Sequence, residues 1–158
     1  MGWGKLVENN RIDVGECMIK AAVVGYGNIG KYALEAIKAA PDMELAGVVR
    51  RKTSLEKPLP PELTHIPVVQ DVSDLGSVHV ALLCVPSRAV PTLAAEYVSK
   101  GIHTVDSYDI HGELADYRRE LDSLASKHKT AAVISAGWDP GTDSMVRALM
   151  EFMAPRGI

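Results

Sequence analysis

The segment Gly25-Tyr26-Gly27-Asn28-Ile29-Gly30 has the glycine spacing of a turn that binds the pyrophosphate of a dinucleotide. In such a turn Gly25 permits the tight bend, Gly27 lets the backbone approach the phosphates, and Gly30 lets a helix pack closely on a strand. The N–H groups at the helix N-terminus then face the negative charge. The alternative is a glycine-rich turn without a ligand, but the apolar run before the motif and the helical periodicity after it favour a cofactor site.

The cationic stretch Arg50-Arg51-Lys52 indicates which dinucleotide this turn would bind. Turns that prefer NAD are followed, about 20 residues further along, by an acidic residue that binds the ribose 2′-hydroxyl. Here guanidinium groups stand near that place, and they bind a phosphate in a bidentate geometry, whereas a carboxylate would repel it. We therefore predict NADP(H) as the cofactor, with Arg50, Arg51 and Lys52 at its 2′-phosphate. The alternative is an ordinary solvated cluster of basic residues.

Three further segments with polar residues follow apolar runs that we interpret as buried strands. They are Cys84-Val85-Pro86-Ser87, Asp106-Ser107-Tyr108-Asp109-Ile110-His111 and Ala136-Gly137-Trp138-Asp139-Pro140-Gly141. Ligands of parallel sheets bind beyond the carboxyl ends of the strands, so the first segment would border the cofactor. A plain strand-to-helix turn is the alternative for this segment.

The second and third segments bring Asp106, Asp109 and Asp139 to one edge of the sheet, and Trp138 adds an aromatic wall. A substrate ammonium group could bind there through charge-assisted hydrogen bonds. The structural alternatives are a helix N-cap at Asp109 and a Pro-Gly turn at Asp139.

Short apolar strands alternate with helices along the chain and must position these residues. We predict strands at 19–24, 44–49, 67–70, 78–85, 103–106 and 131–135, helices at 28–40, 90–100, 113–128 and 143–153, and a loop at 53–66. The first helix should bury Ile29, Ala33, Ile37 and Ala40 on one face. This alternation is typical of a parallel sheet with helices on both faces, so we predict an α/β fold: a Rossmann-type, doubly wound parallel sheet in a single domain.

Composition narrows the class of protein. The 158 residues are 47% hydrophobic and carry a net charge of −3, so neither nucleic acid nor a membrane surface is an expected partner. Without an apolar stretch of roughly 20 residues or an apolar signal core, we expect a cytoplasmic protein. The two cysteines and the scattered histidines support neither a disulfide framework nor a metal site.

The first residues differ from the rest of the chain. Residues 1–17 are mixed polar and lack periodicity, and the first strand begins directly after Met18. We expect a non-native or disordered extension over 1–17 and an NADP-binding domain over 18–158. The alternative for the extension is a loosely docked N-terminal arm.

Four stretches together resemble meso-diaminopimelate dehydrogenase. They are 23–30, Pro41-Asp42-Met43-Glu44-Leu45, 104–111 and Ser135-Ala136-Gly137-Trp138-Asp139-Pro140-Gly141. The resemblance runs from Met18 to the end of the chain. It implies NADP-dependent oxidative deamination of the D-configured centre of meso-2,6-diaminopimelate to L-2-amino-6-oxopimelate and ammonia, a reaction of lysine biosynthesis.

The resemblance also implies roles for individual residues. Asp109, Trp138 and Asp139 would face the reacting amino-acid centre as the catalytic residues, with the two carboxylates orienting the ammonium group. Tyr26 to Ile29 would line the pyrophosphate, and Cys84, Val85, Pro86 and Ser87 would border the cofactor. We also predict cofactor contacts from Ser107, Tyr108, Asp109, Trp138, Pro140 and Gly141.

Members of this family are much longer, so the resemblance implies a truncated chain without the segment that binds the distal end of the substrate and forms most of the homodimer. The last helix would then expose apolar residues and drive association; these are Met145, Val146, Leu149, Met150, Phe152 and Met153. The alternatives are a catalytically inactive NADP(H)-binding module and another Rossmann reductase of the lysine pathway, such as a dihydrodipicolinate reductase, although that family usually carries a GxxGxxG-type turn.

Overall fold

A computed structural model of the chain describes residues 18–56, 58–138 and 141–156. The prediction for residues 1–17 lies outside the described residues, and so do the predicted site residues Asp139 and Pro140.

A parallel sheet forms the centre of the fold. The six strands in the described residues are β1 (Ile19–Val24), β2 (Met43–Val49), β3 (Val68–Val69), β4 (Val80–Leu83), β5 (His103–Asp106) and β6 (Ala132–Val133). Their order is β3-β2-β1-β4-β5-β6, and every neighbouring pair is parallel. The strand order therefore reverses between β1 and β4. The predicted doubly wound, single-domain α/β fold of the Rossmann type is confirmed.

Five α-helices connect or follow the strands in the described part of the chain. They are α1 (Asn28–Ala39), α2 (Lys52–Leu55), α3 (Val90–Ser99), α4 (Leu114–His128) and α5 (Thr142–Met153). Short 3-10 turns occur at Pro61–Leu63, Val72–Leu75, Ser87–Ala89 and His111–Glu113. Within the described ranges, no helix has the length and apolarity needed to cross a membrane.

Most element bounds agree with the predicted ones, and the exceptions have local causes. The segment predicted as a loop over 53–66 contains α2 and a 3-10 turn. Strand β4 is shorter than predicted because it pairs with both β1 and β5 only over Val80–Leu83. Strand β6 is also shorter because it pairs with β5 only over Ala132–Val133, and Ser135, with φ of 56°, lies beyond this pairing.

Apolar side chains cover both faces of the sheet. Ala21 and Val23 of β1 pack with α1, whereas Ala22 and Val24 pack into the larger cluster that contains α3 and α4. This alternation follows from the two-residue period of a strand, and it explains why β1 is apolar throughout.

The buried face of α1 differs from the prediction. Gly30, Leu34 and Ile37 are its buried residues, whereas Ile29 is 61% exposed. The reason is the close packing of Gly30 on the glycine turn, which rotates the helix so that Ile29 points away from the sheet.

Helix α5 contributes nothing to this core. None of its residues is buried, and the six apolar side chains predicted to be exposed are exposed, from 38% at Val146 to 86% at Phe152. The association that we predict from this surface stays a prediction.

Candidate functional site

A cleft of about 800 Å³ lies at the carboxyl ends of β1, β2 and β4, where the strand order reverses. Open α/β sheets bind their ligands at this point because the loops diverge there and leave a crevice. The wall includes the end of β1 with the glycine turn, the end of β2 with Arg50 and Arg51, and the segment Cys84 to Pro86 after β4. Three sequence-predicted segments thus meet at this cleft.

The three glycines of the turn do three different things. Gly25 has φ of 91°, and a Cβ there would collide with the carbonyl oxygen of Cys84. A Cβ at Gly30 would collide with the carbonyl oxygen of Gly25. At Gly27, by contrast, a Cβ would meet no atom of the described residues within 4 Å. Only Gly27 is therefore free of a packing requirement, and the space beside it is the cradle that a ligand would fill.

The N-terminus of α1 begins at this cradle. Gly27 is the N-cap, no side chain caps the helix, and the N–H of Lys31 donates to the Gly27 carbonyl at 3.0 Å. The preceding N–H groups of the first turn have no carbonyl within the helix to bind, so they are available to an anion. Asn28 and Ile29 are exposed and lie outside the wall of the cleft, so their contribution would come from backbone N–H groups.

Arg50 differs from a solvated surface cation. It is half-buried in the wall of the cleft, and among the described residues its buried Nη1 has no hydrogen-bond partner. A buried guanidinium nitrogen without an acceptor is costly, and an anionic ligand would supply the acceptor. Arg51 is exposed in the same wall, whereas Lys52 begins α2 and lies outside it.

The cleft continues past Arg50 into a region that the sequence did not reveal. This part of the wall is formed by Ser54, Gln70, Asp71, Val72, Arg88, Ala89, Leu93, Glu96 and Tyr97. Val72, Leu93 and Tyr97 give it an apolar surface suited to a planar ring. The signal that could have indicated Arg88 is its place directly after the Cys84–Ser87 segment; the other residues come together only through the strand order.

The Cys84 thiol belongs to the cleft wall but is not a nucleophile. Burial raises the pKa of Cys84 to about 11. The thiolate is the reactive form of cysteine, so this side chain stays an inert thiol near neutral pH. Val85 and Pro86 follow it in the wall.

Ser87 links the cofactor side of the sheet to the candidate catalytic side. Its hydroxyl donates to Asp109 Oδ1 at 2.5 Å, across 22 residues of chain. Asp109 is otherwise exposed, so this contact gives its carboxylate a defined place beside the loop that follows β4. The structure thus brings these two predicted site residues together.

The side chains of Asp106 and Tyr108 are buried in the interior of the fold and bind other parts of the chain. Asp106 is 3% exposed and accepts hydrogen bonds from the Tyr117 hydroxyl and from the N–H groups of Tyr108 and Ser135. The Tyr108 residue is 1% exposed, and its ring packs at a tilt against the Tyr117 ring, with 4.8 Å between ring centroids. Asp106 is therefore a structural carboxylate, and Tyr108 could reach a ligand only through its backbone.

The loop after β6 presents Trp138 to solvent, with 68% of the residue exposed. The Asp143 N–H donates to the Trp138 carbonyl at 2.8 Å, and Gly141, with φ of 148°, lies against the Gly137 carbonyl. Ser107, Tyr108, Asp109, Trp138 and Gly141 all lie outside the wall of the cleft, at the neighbouring strand ends. Their predicted ligand contacts stay predictions.

Within the described ranges, no group of three or more histidine, cysteine, aspartate or glutamate side chains is placed to hold a metal ion.

Comparison with known proteins confirms the resemblance seen in the sequence. The chain is 54% identical over 140 residues to a meso-diaminopimelate D-dehydrogenase of Bacteroides fragilis, covering 89% of this chain and 46% of that protein. A crystal structure of an engineered D-amino acid dehydrogenase bound to NADP+ superposes with a TM-score of 0.71 at 33% identity, covering 86% of this chain and 41% of that one. DAP dehydrogenase of C. glutamicum in complex with DAP gives a TM-score of 0.69 at 32% identity, covering 85% and 41%.

The chain therefore spans less than half the length of these relatives. The part that matches contains every element of the sheet and the whole wall of the cleft. Residues 19–135 also match a broader family, described as the oxidoreductase family with an NAD-binding Rossmann fold. Because this match covers well over half of the chain, the protein belongs to the oxidoreductase family with an NAD-binding Rossmann fold.

Proposed function

We propose that this chain is the NADP(H)-binding part of a meso-diaminopimelate dehydrogenase. The observation that carries the proposal is the buried Nη1 of Arg50, which has no hydrogen-bond partner within the described ranges, in a cleft that also contains the open cradle at Gly27. A dinucleotide with a 2′-phosphate would fit both features, because one phosphate group reaches the cradle and another reaches the guanidinium. The similarity to dehydrogenases named for meso-diaminopimelate supports the substrate.

Different residues of the cleft would bind different parts of the cofactor. Backbone N–H groups around Gly27 would bind the pyrophosphate, and Arg50 with Arg51 would bind the 2′-phosphate. The apolar region around Val72, Leu93 and Tyr97 would hold the adenine ring. When bound, the nicotinamide supplies a two-electron acceptor for hydride. The cofactor fits the residues that are present.

The carboxylate side would bind the substrate. Asp109, held by the Ser87 hydroxyl, would accept hydrogen bonds from the substrate ammonium group, and Asp139 would do the same from the neighbouring loop. A carboxylate at this place could take a proton from the ammonium group before the α-carbon loses hydride. Trp138 would form an apolar wall beside the reacting carbon. Loss of hydride would leave an imine at this carbon, and water would hydrolyse the imine to give L-2-amino-6-oxopimelate and ammonia.

The remaining attributes belong to the same proposal. A cytoplasmic location, a role in lysine biosynthesis and a homodimer would follow from an intact enzyme of this type. The second candidate is a module that binds NADP(H) without turnover, and the observation that favours it is that Asp109 and Trp138 lie outside the wall of the cleft.

Two measurements on the purified chain test these candidates. The first is a fluorescence titration with NADPH and, separately, with NADH. We expect NADPH to bind at least about tenfold more tightly, because a charge-assisted hydrogen bond to the 2′-phosphate contributes about 1.5–3 kcal/mol. The second is a turnover assay with NADP and meso-diaminopimelate, with the L,L-isomer as the control substrate.

The outcomes separate the candidates. NADPH preference with turnover of the meso isomer alone supports the dehydrogenase. NADPH preference without turnover supports the binding module. Equal binding of NADPH and NADH would overturn the role of Arg50 and leave only a dinucleotide fold.

A further inference from the structure

The carboxylate of Asp106 joins the starting points of two loops. Its Oδ1 accepts the N–H of Tyr108 at 3.0 Å and the N–H of Ser135 at 3.0 Å, and its Oδ2 accepts the Tyr117 hydroxyl at 2.7 Å. Its backbone carbonyl accepts the N–H of Ala136 at 2.7 Å. One residue at the end of β5 therefore holds the loop after β5 and the loop after β6 together.

Ser135 contributes a second tie and an unusual backbone. Its φ of 56° lies in the left-handed region that favours glycine, although the residue is a serine. Its hydroxyl donates to the Tyr108 carbonyl at 2.8 Å, and its N–H binds Asp106. Backbone in this region persists only where surrounding contacts determine it, and such residues cluster at functional sites. We call Asp106, Tyr108, Tyr117 and Ser135 the Asp106 clamp.

We propose that Asp106 and Ser135 are positioning residues that fix where Asp109 and Trp138 stand relative to the cofactor cleft. Asp109 follows the clamped Tyr108 directly, and Trp138 follows the clamped Ser135 by three residues. The inference rests on the proposed function, since it gives these loops the task of facing a bound cofactor. It goes further because it assigns that task to residues that touch neither cofactor nor substrate.

The chemistry of the clamp suits positioning better than packing alone. Burying a carboxylate is costly unless it is fully hydrogen-bonded, and an apolar residue would fill the same space at lower cost. A carboxylate is needed here because two N–H groups and one hydroxyl must all find acceptors on a single side chain. Two of these donors are backbone groups at the starts of the loops. Sites displaced by about 1 Å lose much of their efficiency, so fixing the loop origins has functional value.

The test follows the position and mobility of Trp138 directly. The sequence contains two tryptophans, so Trp3→Phe leaves Trp138 as the only one. In this background, energy transfer from Trp138 to bound NADPH reports the placement of the loop, and the fast anisotropy decay of Trp138 reports its mobility. The variants are Asp106→Asn and Ser135→Gly. The matched control is Asp116→Asn, which changes an exposed aspartate that pairs with Arg119 on α4.

We expect both clamp variants to change the transfer efficiency and to enlarge the fast anisotropy decay, while the control changes neither. The Kd for NADPH should stay within about twofold of the parent, because the cleft wall lies on other strands. Glycine suits the backbone of Ser135, so Ser135→Gly should fold even if Asp106→Asn does not.

Unchanged transfer and anisotropy in folded Ser135→Gly would overturn the inference and leave the clamp a purely structural feature. If the parent protein binds no NADPH, the proposed function fails, and the anisotropy decay still decides whether the clamp holds the loop.

Discussion

Replacing Gly27 with alanine should leave the protein folded and remove most of its affinity for NADPH. A Cβ at this position meets no atom within 4 Å in the part of the chain that the structure describes, and the backbone, at φ of −95°, is one that alanine adopts readily. The loss of a glycine N-cap costs about 1 kcal/mol or less, and the lower entropy of the unfolded chain offsets part of it. The methyl group would, however, occupy the cradle. Overpacking of this kind costs about 1–3 kcal/mol, which corresponds to a rise of roughly 5- to 150-fold in the Kd for NADPH.

Gly30→Ala is the matched variant, because it makes the same chemical change in the same turn. Its Cβ would collide with the Gly25 carbonyl, so we expect a loss of about 1–3 kcal/mol in the free energy of unfolding. Urea denaturation and NADPH titration should be run on both variants. The reasoning is refuted if folded Gly27→Ala binds NADPH as tightly as the parent, because the pyrophosphate then does not pass over Gly27.

Three further perturbations test other parts of the structure. Arg50→Ala should weaken NADPH binding about 10- to 100-fold and NADH binding little. The control variant Arg118→Ala, on α4, should change the binding of neither cofactor. An equal loss of affinity for both cofactors in Arg50→Ala would contradict a 2′-phosphate contact. Burial raises the pKa of Tyr97 to about 12. Below pH 10 both the folded and the unfolded chain keep this proton, but between pH 10 and 12 only the unfolded chain releases it. The free energy of unfolding should therefore fall by up to about 1.4 kcal/mol per pH unit in this range. Thermal melts at a series of pH values, compared with those of Tyr97→Phe, check this, and identical pH profiles would contradict it. In a Cys17→Ser background, the Cys84 thiol should react with a disulfide reagent at pH 8 much more slowly than it does in urea, because burial raises its pKa to about 11. Labelling as rapid as in urea would contradict the raised pKa.

The sequence predicted the order of the elements because each carries its own local signal. Strand β1 has the predicted bounds because its apolar run ends sharply at Gly25. Strand β5 also has the predicted bounds, although Val105 is its only apolar residue. Strands β4 and β6 are shorter than their apolar runs because pairing, not composition, determines where a strand ends. Helix periodicity predicted Ile29 on the buried face of α1, but Ile29 is exposed because Gly30 packs closely on the glycine turn.

The candidate site was predictable where a motif encodes geometry locally. The glycine spacing predicted the different roles of Gly25, Gly27 and Gly30. The position of Arg50 directly after β2 predicted its place in the wall of the cleft. The rest of the cleft was not predictable, because Gln70 and Glu96 meet only through the order of the strands in the sheet.

The two aspartates after β5 show the same limit. Asp106 and Asp109 are alike in the sequence, yet one is buried among donors and the other is exposed beside Ser87. Whether a carboxylate at or after the end of β5 is buried or exposed depends on the direction in which its side chain leaves the end of the strand, and the sequence does not encode that direction locally.

Helix α5 has a consequence for how the stability of the molecule is distributed. It consists of 12 residues, none of them buried, and isolated helices of this length are marginal in water. The amide protons of α5 should therefore exchange within seconds of dilution into deuterated water, whereas those of β1 should exchange only through global unfolding. Any surface that covers the apolar face of α5 would slow this exchange selectively. The protection factor of one helix thus measures, without reference to catalysis, whether the chain is alone or in contact with something larger.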